Sequence, residues 1–125
     1  MSPIDPAKMK AALAHATLLF LDELSGHLEY FSQFASELST LEEPELNSAL
    51  LAGLPQLQHR MHTIKGSAGF LGLTDLQQAA TITERLIKDQ NSGIASSLSL
   101  RAELFSQMQT IRLAAQALER SQTQS

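Results

Sequence analysis

The sequence predicts an all-α fold, an antiparallel four-helix bundle with an additional N-terminal or connecting helix. Three observations carry this reading. Strand formers are scarce, since valine and tryptophan are absent and no long alternating apolar run occurs. Four long segments repeat apolar residues at steps of three and four, the spacing of one helix face. Short stretches of Gly, Pro, Ser, Thr and Asn separate them, with the start and stop residues of helices. At 125 residues and 43% hydrophobic content, residues 1–125 make a single domain with one core. Residues 1–4 and 121–125 are expected to be flexible ends.

The first helix opens at Asp5-Pro6, an N-cap followed by proline at the first helical position. Its apolar pattern runs through Met9, Leu13, Ala16, Leu19, Phe20, Leu24, Leu28, Phe31, Ala35 and Leu38. Ser25-Gly26 leaves open whether this is one helix or two. Thr40 and Glu43 stand at capping-box spacing, so a short connecting helix is expected from there to about Ala52, ended by Gly53. Pro55 then opens a helix carrying Leu57, Met61, Ile64, Ala68 and Leu71, with Gly72 as its C-cap. Thr74 and Gln77 repeat the capping-box spacing and start a helix to about Gln90, with Leu76, Ala80, Thr83 and Leu86 or Ile87 inward. Asn91-Ser92-Gly93 is a turn. The last helix, about Ser97 to Glu119, turns Leu104, Met108, Ile111, Ala115 and Leu118 to the core.

Composition removes several functions. Cysteine is absent, which excludes disulfides, thiol catalysis and cysteine-ligated zinc. A net charge of −4 without a long basic run speaks against nucleic acid and against an anionic membrane surface. No apolar run approaches a membrane span, and the start lacks the basic and apolar regions of a signal peptide, so a cytoplasmic protein is expected.

The chemistry concentrates in His62-Thr63-Ile64-Lys65-Gly66-Ser67-Ala68-Gly69-Phe70-Leu71-Gly72. At about 100° per residue, His62 lies roughly 140° from the centre of its helix's apolar stripe and faces water. Lys65, Gly66 and Gly69 share its side. Each interior glycine costs about 1 kcal/mol of helix propensity against alanine. Bare backbone beside an exposed imidazole suits a surface that a second macromolecule must approach closely. Imidazole, with an unperturbed pKa of about 6.5, is a competent neutral nucleophile near pH 7.

This run resembles the histidine phosphotransfer (HPt) domain of two-component phosphorelays. The likeness rests on His62, Lys65, Gly66, Ser67, Ala68, Gly69 and Gly72, then Leu73, Leu76 and Glu84 on the next predicted helix. The resemblance implies that His62 accepts a phosphoryl group at Nε2 from one receiver-domain aspartate and passes it to another. Lys65, one turn on, would balance the phosphoryl charge. Response-regulator receiver domains and a hybrid or chemotaxis-type sensor histidine kinase would be the partners. No cofactor is expected in this chain: Mg²⁺ and most of the catalytic machinery would belong to the receiver, and no autonomous kinase activity is expected. A monomer is expected, meeting its partners through Gln58, His59, Lys65, Gly66 and Gly69.

Other readings of the same residues stand beside it. Gly66 and Gly69 could instead admit a crossing helix of the same chain. Phe70 is expected to pack beneath the N-terminal helix, with contact to a partner as the other reading. Gln58, one turn before His62, could reach its Nδ1 or the phosphoryl group, and His59 could be an ordinary solvated histidine. His15 and His27 match no motif. A metal-binding bundle using His59 and His62 lacks the Glu-x-x-His pairs such bundles use, so no metal ligand is expected. A non-catalytic helical adaptor is the remaining alternative.

Overall fold

The apolar stripes become four helices in a computed structural model, which describes residues 5–90 and 93–123. These are α1 (Pro6–Ser39), α2 (Glu45–Phe70), α3 (Thr74–Lys88) and α4 (Ser97–Thr123). The expected bundle is present. Among the described residues, however, it carries no additional connecting helix. The segment before Gly53 is continuous with the histidine helix, and Gly53 and Pro55 both lie inside α2. Burial explains the difference. Leu46, Leu50, Leu54, Leu57, Met61, Ile64 and Ala68 form one unbroken inward stripe, and each large side chain so buried contributes about 1.5–3 kcal/mol. That outweighs the roughly 3 kcal/mol for one interior proline and about 1 kcal/mol for one glycine. Gly53 has a packing purpose instead: a Cβ there would stand 2.5 Å from Phe34 Cζ, so the bare backbone admits that ring from α1.

Helix ends correct two further expectations. Neither capping box forms: Thr40 closes α1, Pro44 precedes α2 without a side-chain bond, and Thr74 is already inside α3. The stop of α2 is as expected in position. Leu73 N donates to Ala68 O at 2.8 Å and Gly72 N to Gly69 O at 3.2 Å, with Gly72 at φ 72, a Schellman close. Asp5 caps α1 by accepting from Ala7 N at 2.9 Å. At the other end, Leu38 O in the last turn of α1 and Leu41 O just past its cap accept from Arg101 Nη1 of α4 at 2.7 and 2.9 Å. Helix α4 continues through Thr123, so the expected flexible tail is helical at residues 121–123. Residues 1–4, 124 and 125 lie outside the described residues, as do Asn91 and Ser92 of the expected turn.

α1 is one helix of 34 residues, with Gly26 exposed in its middle. Its buried residues are Thr17, Phe20, Leu24, Phe31, Phe34 and Leu38. Met9 and Leu13 are exposed rather than inward, because Pro6–His15 projects past the bundle and meets no neighbour that buries it, while Leu19 is exposed on the rim of a hollow beside α2. α2 and α3 share the most extensive interface, while α4 packs on α3 and α1. Among the described residues no helix is long and apolar enough to cross a membrane.

Candidate functional site

The tight α2–α3 turn sets the two helices antiparallel, placing Gly69 against Gln77 and, two turns back along α2, His62 against Glu84. Glu84 is the anomaly of α3. It occupies the inward stripe with Leu76, Ala80, Thr83 and Ile87, and its side chain is only 5% exposed. A buried carboxylate must be paired or neutralised, and this one is paired twice. His62 Nδ1 donates to Glu84 Oε2 at 3.0 Å, and Lys65 Nζ donates to Oε1. Lys88 Nζ stands 3.8 Å from Oε2. The hydrogen bond from Lys65 holds the Glu84 carboxyl below the ordinary glutamate value, against the upward push of burial. The His62 hydrogen bond and the charges of Lys65 and Lys88 add to the lowering. Glu84 is therefore ionised near neutral pH.

An ionised carboxylate only accepts, which assigns the His62 proton to Nδ1 and leaves the Nε2 lone pair free. The ring is anchored on one edge and open on the other, with the His62 side chain 66% exposed. Nδ1 is taken by Glu84, so it is not Gln58 that holds it. Lys65 is 29% exposed and engaged by Glu84, a more enclosed position than a solvated lysine would occupy.

The two motif glycines differ. A Cβ on Gly66 would meet nothing within 4 Å, so that surface is open. A Cβ on Gly69 would lie 2.8 Å from Gln77 Nε2, so its bare backbone is covered by a side chain of α3. Gly69 thus serves the α2–α3 contact, the same-chain packing open in the sequence, and is not part of the bare surface.

Concavities lie on two sides of α2, and the one toward α3 includes the histidine. On the α3 side, Pro55, Gln58, His59, His62, Glu84 and Lys88 line a polar hollow of about 400 Å³. On the α1 side, Gly66, Ser67, Phe70 and Leu71 face Ala16, Leu19, Phe20 and Glu23 across a more apolar hollow of about 340 Å³. Phe70 is not packed beneath α1: it is 83% exposed at the edge of that hollow, and Leu19 is 57% exposed. A third hollow of similar size, between the α2–α3 turn and α4, does not include His62. Among the described residues no group of three or more His, Asp or Glu is placed to hold a metal ion.

The sequence-predicted residues His62, Lys65, Gln58, His59 and Gly66 therefore share one region. Glu84 enters the family resemblance without a role, and no motif in the sequence singles out Lys88. The signal for Glu84 was present, as an acidic residue on an otherwise apolar helical stripe. The site is thus an exposed imidazole backed by a buried carboxylate, on an antiparallel helix pair of a four-helix bundle. The Hpt domain family model matches residues 15–121, and the chain belongs to that family, whose role is histidine phosphotransfer in two-component signalling. Searches among curated proteins and among solved structures found no match.

Proposed function

We propose that His62 is the phosphoacceptor and that the chain relays a phosphoryl group between receiver-domain aspartates. The observation that carries this reading is the buried Glu84 carboxylate behind an exposed imidazole. The Nε2 lone pair attacks the phosphorus of an aspartyl phosphate in line. The P–N bond forms as the bond from phosphorus to the aspartate oxygen breaks, and the aspartate leaves as carboxylate. The ring, still protonated at Nδ1, becomes a cation, which the carboxylate 3.0 Å away stabilises. The reverse sequence passes the group to a second aspartate. Lys65 holds Glu84 and places an ammonium one turn from the phosphoryl oxygens.

The partners in this proposal are receiver domains and a hybrid or chemotaxis-type sensor kinase, acting in the cytoplasm on a monomeric chain. Gln58, His59 and Gly66 line the contact. Leu19 and Phe70 add the apolar part that such contacts place beside polar groups. The donor set at His62 is one carboxylate already engaged by two donors, which does not fit a divalent cation, so we place Mg²⁺ on the receiver. Incubation with a phosphorylated receiver should yield an acid-labile, alkali-stable phosphoprotein that His62→Gln abolishes. Labelling that persists in the variant, or moves to His59, would overturn the assignment.

A further inference from the structure

The charges around Glu84 do not balance. One buried carboxylate faces the ammonium groups of both Lys65 and Lys88, besides the Nδ1–H of His62. Its two oxygens each have a hydrogen bond, Oε1 from Lys65 and Oε2 from His62. Lys88, at 3.8 Å, is beyond hydrogen-bond reach, and its side chain is 53% exposed. With His62 neutral, two lysines against one glutamate leave a surplus positive charge beside the nucleophile.

The two lysines also lie in different directions. Lys65 follows His62 along α2, and Lys88 follows Glu84 along α3. Because these helices run antiparallel, the His62–Glu84 pair has a cation on each side along the bundle axis. Lys88 is on the side of the polar hollow and shares its lining with Gln58, His59 and His62. The cost of moving them differs as well. Withdrawing Lys65 would strip a buried carboxylate oxygen of its donor, which is expensive. Withdrawing Lys88 forfeits only a long, partly exposed ion pair, which is worth little.

We infer that Lys88 is a phosphoryl-binding residue. When Nε2 carries the phosphoryl group, Lys88 leaves Glu84 and turns across the hollow to the phosphoryl oxygens. Lys65 stays on the carboxylate, and the group is held between the two. This rests on His62 as the phosphoacceptor and adds the residue that meets the oxygens.

The test charges a receiver domain with acetyl phosphate, transfers the group to the full chain, and titrates the phosphohistidine by ³¹P NMR. A cation at the oxygens favours the dianion, so the last phosphoryl ionisation should fall at higher pH in Lys88→Gln than in the unsubstituted chain. The transfer equilibrium should move toward the receiver by about fivefold, the scale of one partly exposed pair. Lys88→Arg should restore both readouts, and Lys10→Gln on the projecting part of α1 should move neither. An unchanged phosphoryl titration in Lys88→Gln overturns the inference while leaving His62 as acceptor. Equal effects of Lys88→Gln and Lys88→Arg overturn it too, because the lysine would then act only through helix packing. An unsubstituted chain that takes no phosphoryl group overturns the acceptor reading first, and is distinguishable because no phosphohistidine ³¹P resonance forms.

Discussion

Histidines on two sides of α2 meet opposite partners and carry opposite tautomers. On the α3 side, His62 donates from Nδ1 to the Glu84 carboxylate. On the α1 side, His27 Nδ1 lies 3.0 Å from Arg60 Nη1. A guanidinium only donates, so His27 accepts there and holds its proton on Nε2. Arg60 also lies over the Tyr30 ring, 4.2 Å from its centroid, with its Nε buried and unbonded. Burial, and then the Arg60 charge, push the His27 pKa down; Glu23 opposes this and His59 adds to it. In the proposed transfer a carboxylate behind the ring would let His62 take up positive charge, whereas burial and a guanidinium behind the ring hold His27 toward the neutral form. Under the proposed function, the partner behind the imidazole, as much as its exposure, separates the histidine suited to carry a phosphoryl group from the one that is not.

The widest separation between the two should come from deleting each ring. His62→Gln is expected to remove all phosphoryl labelling, while His27→Gln leaves the transfer rate within about twofold, since it alters no group at the acceptor. Rates from rapid-mixing transfer assays check this. A comparable loss in both variants would erase the distinction drawn here.

Next in size is the carboxylate itself. Glu84→Gln keeps the shape but not the charge, and a hydrogen bond to a charged group is worth about 1.5–3 kcal/mol. Transfer should slow by about tenfold to a hundredfold, on the scale of about 1.4 kcal/mol per tenfold. Urea unfolding should show a stability loss of about 1–3 kcal/mol. Lys65→Ala, which leaves Oε1 without its donor, should lose stability over the same range, more than a solvated lysine would. Full transfer activity in Glu84→Gln would mean that the ring needs no anionic support.

A smaller effect tests the open surface beside His62. Gly66→Gln should leave the fold intact, or stabilise it by up to about 1 kcal/mol through helix propensity, yet slow transfer by steric exclusion. In Gly69→Ala only the end of Gln77 has to shift, so transfer should hardly change. Slowing of equal size by both substitutions would return Gly69 to the contact surface.

The smallest effects are pH slopes, and they separate the histidine clusters. The lowered His27 pKa means that the unfolded chain binds the proton first. Stability should therefore be complete above the unfolded value of about 6.5 and decline as the pH falls from there toward the lower folded value. His27→Gln should remove that slope. The lowered Glu84 pKa acts at more acidic pH: its contribution is present above the unfolded value of about 4.3 and is lost as the pH falls through the lower folded one. Urea midpoints across pH 3–8 would resolve both windows. A slope near pH 6 that survives His27→Gln would assign it to another group.

Where sequence reading succeeded and failed follows the range of the interactions. The stripe Leu57, Met61, Ile64 and Ala68 was legible because helical periodicity is local, and all four are fully buried. The same periodicity misplaced Met9, Leu13 and Leu19. The pattern says which face they share, but not that Met9 and Leu13 lie past the end of the bundle or that Leu19 borders a hollow beside α2. Gly53 and Pro55 are helix breakers by propensity, yet they sit inside α2 because Phe34 and the leucine stripe around them reward continuity. Phe70 projects off the apolar stripe between Ala68 and Leu71, and it is exposed because a hollow, not α1 itself, lies against that face.

By itself the sequence determined the helices' inward faces, the outward aim of His62, and the glycines and lysine on its side. All of these depend on 3.6 residues per turn and on neighbours within two turns. Only the tertiary structure decided what stands behind the imidazole. The antiparallel pairing of α2 and α3 brings Glu84 to His62 across 22 positions of chain, and that contact sets the tautomer, the enclosure of Lys65 and the surplus charge at Lys88. It also decided that Gly69 lies under Gln77 while Gly66 stays bare. Helical period is a property of one segment, whereas a hydrogen bond between helices depends on register, which packing of both apolar stripes selects.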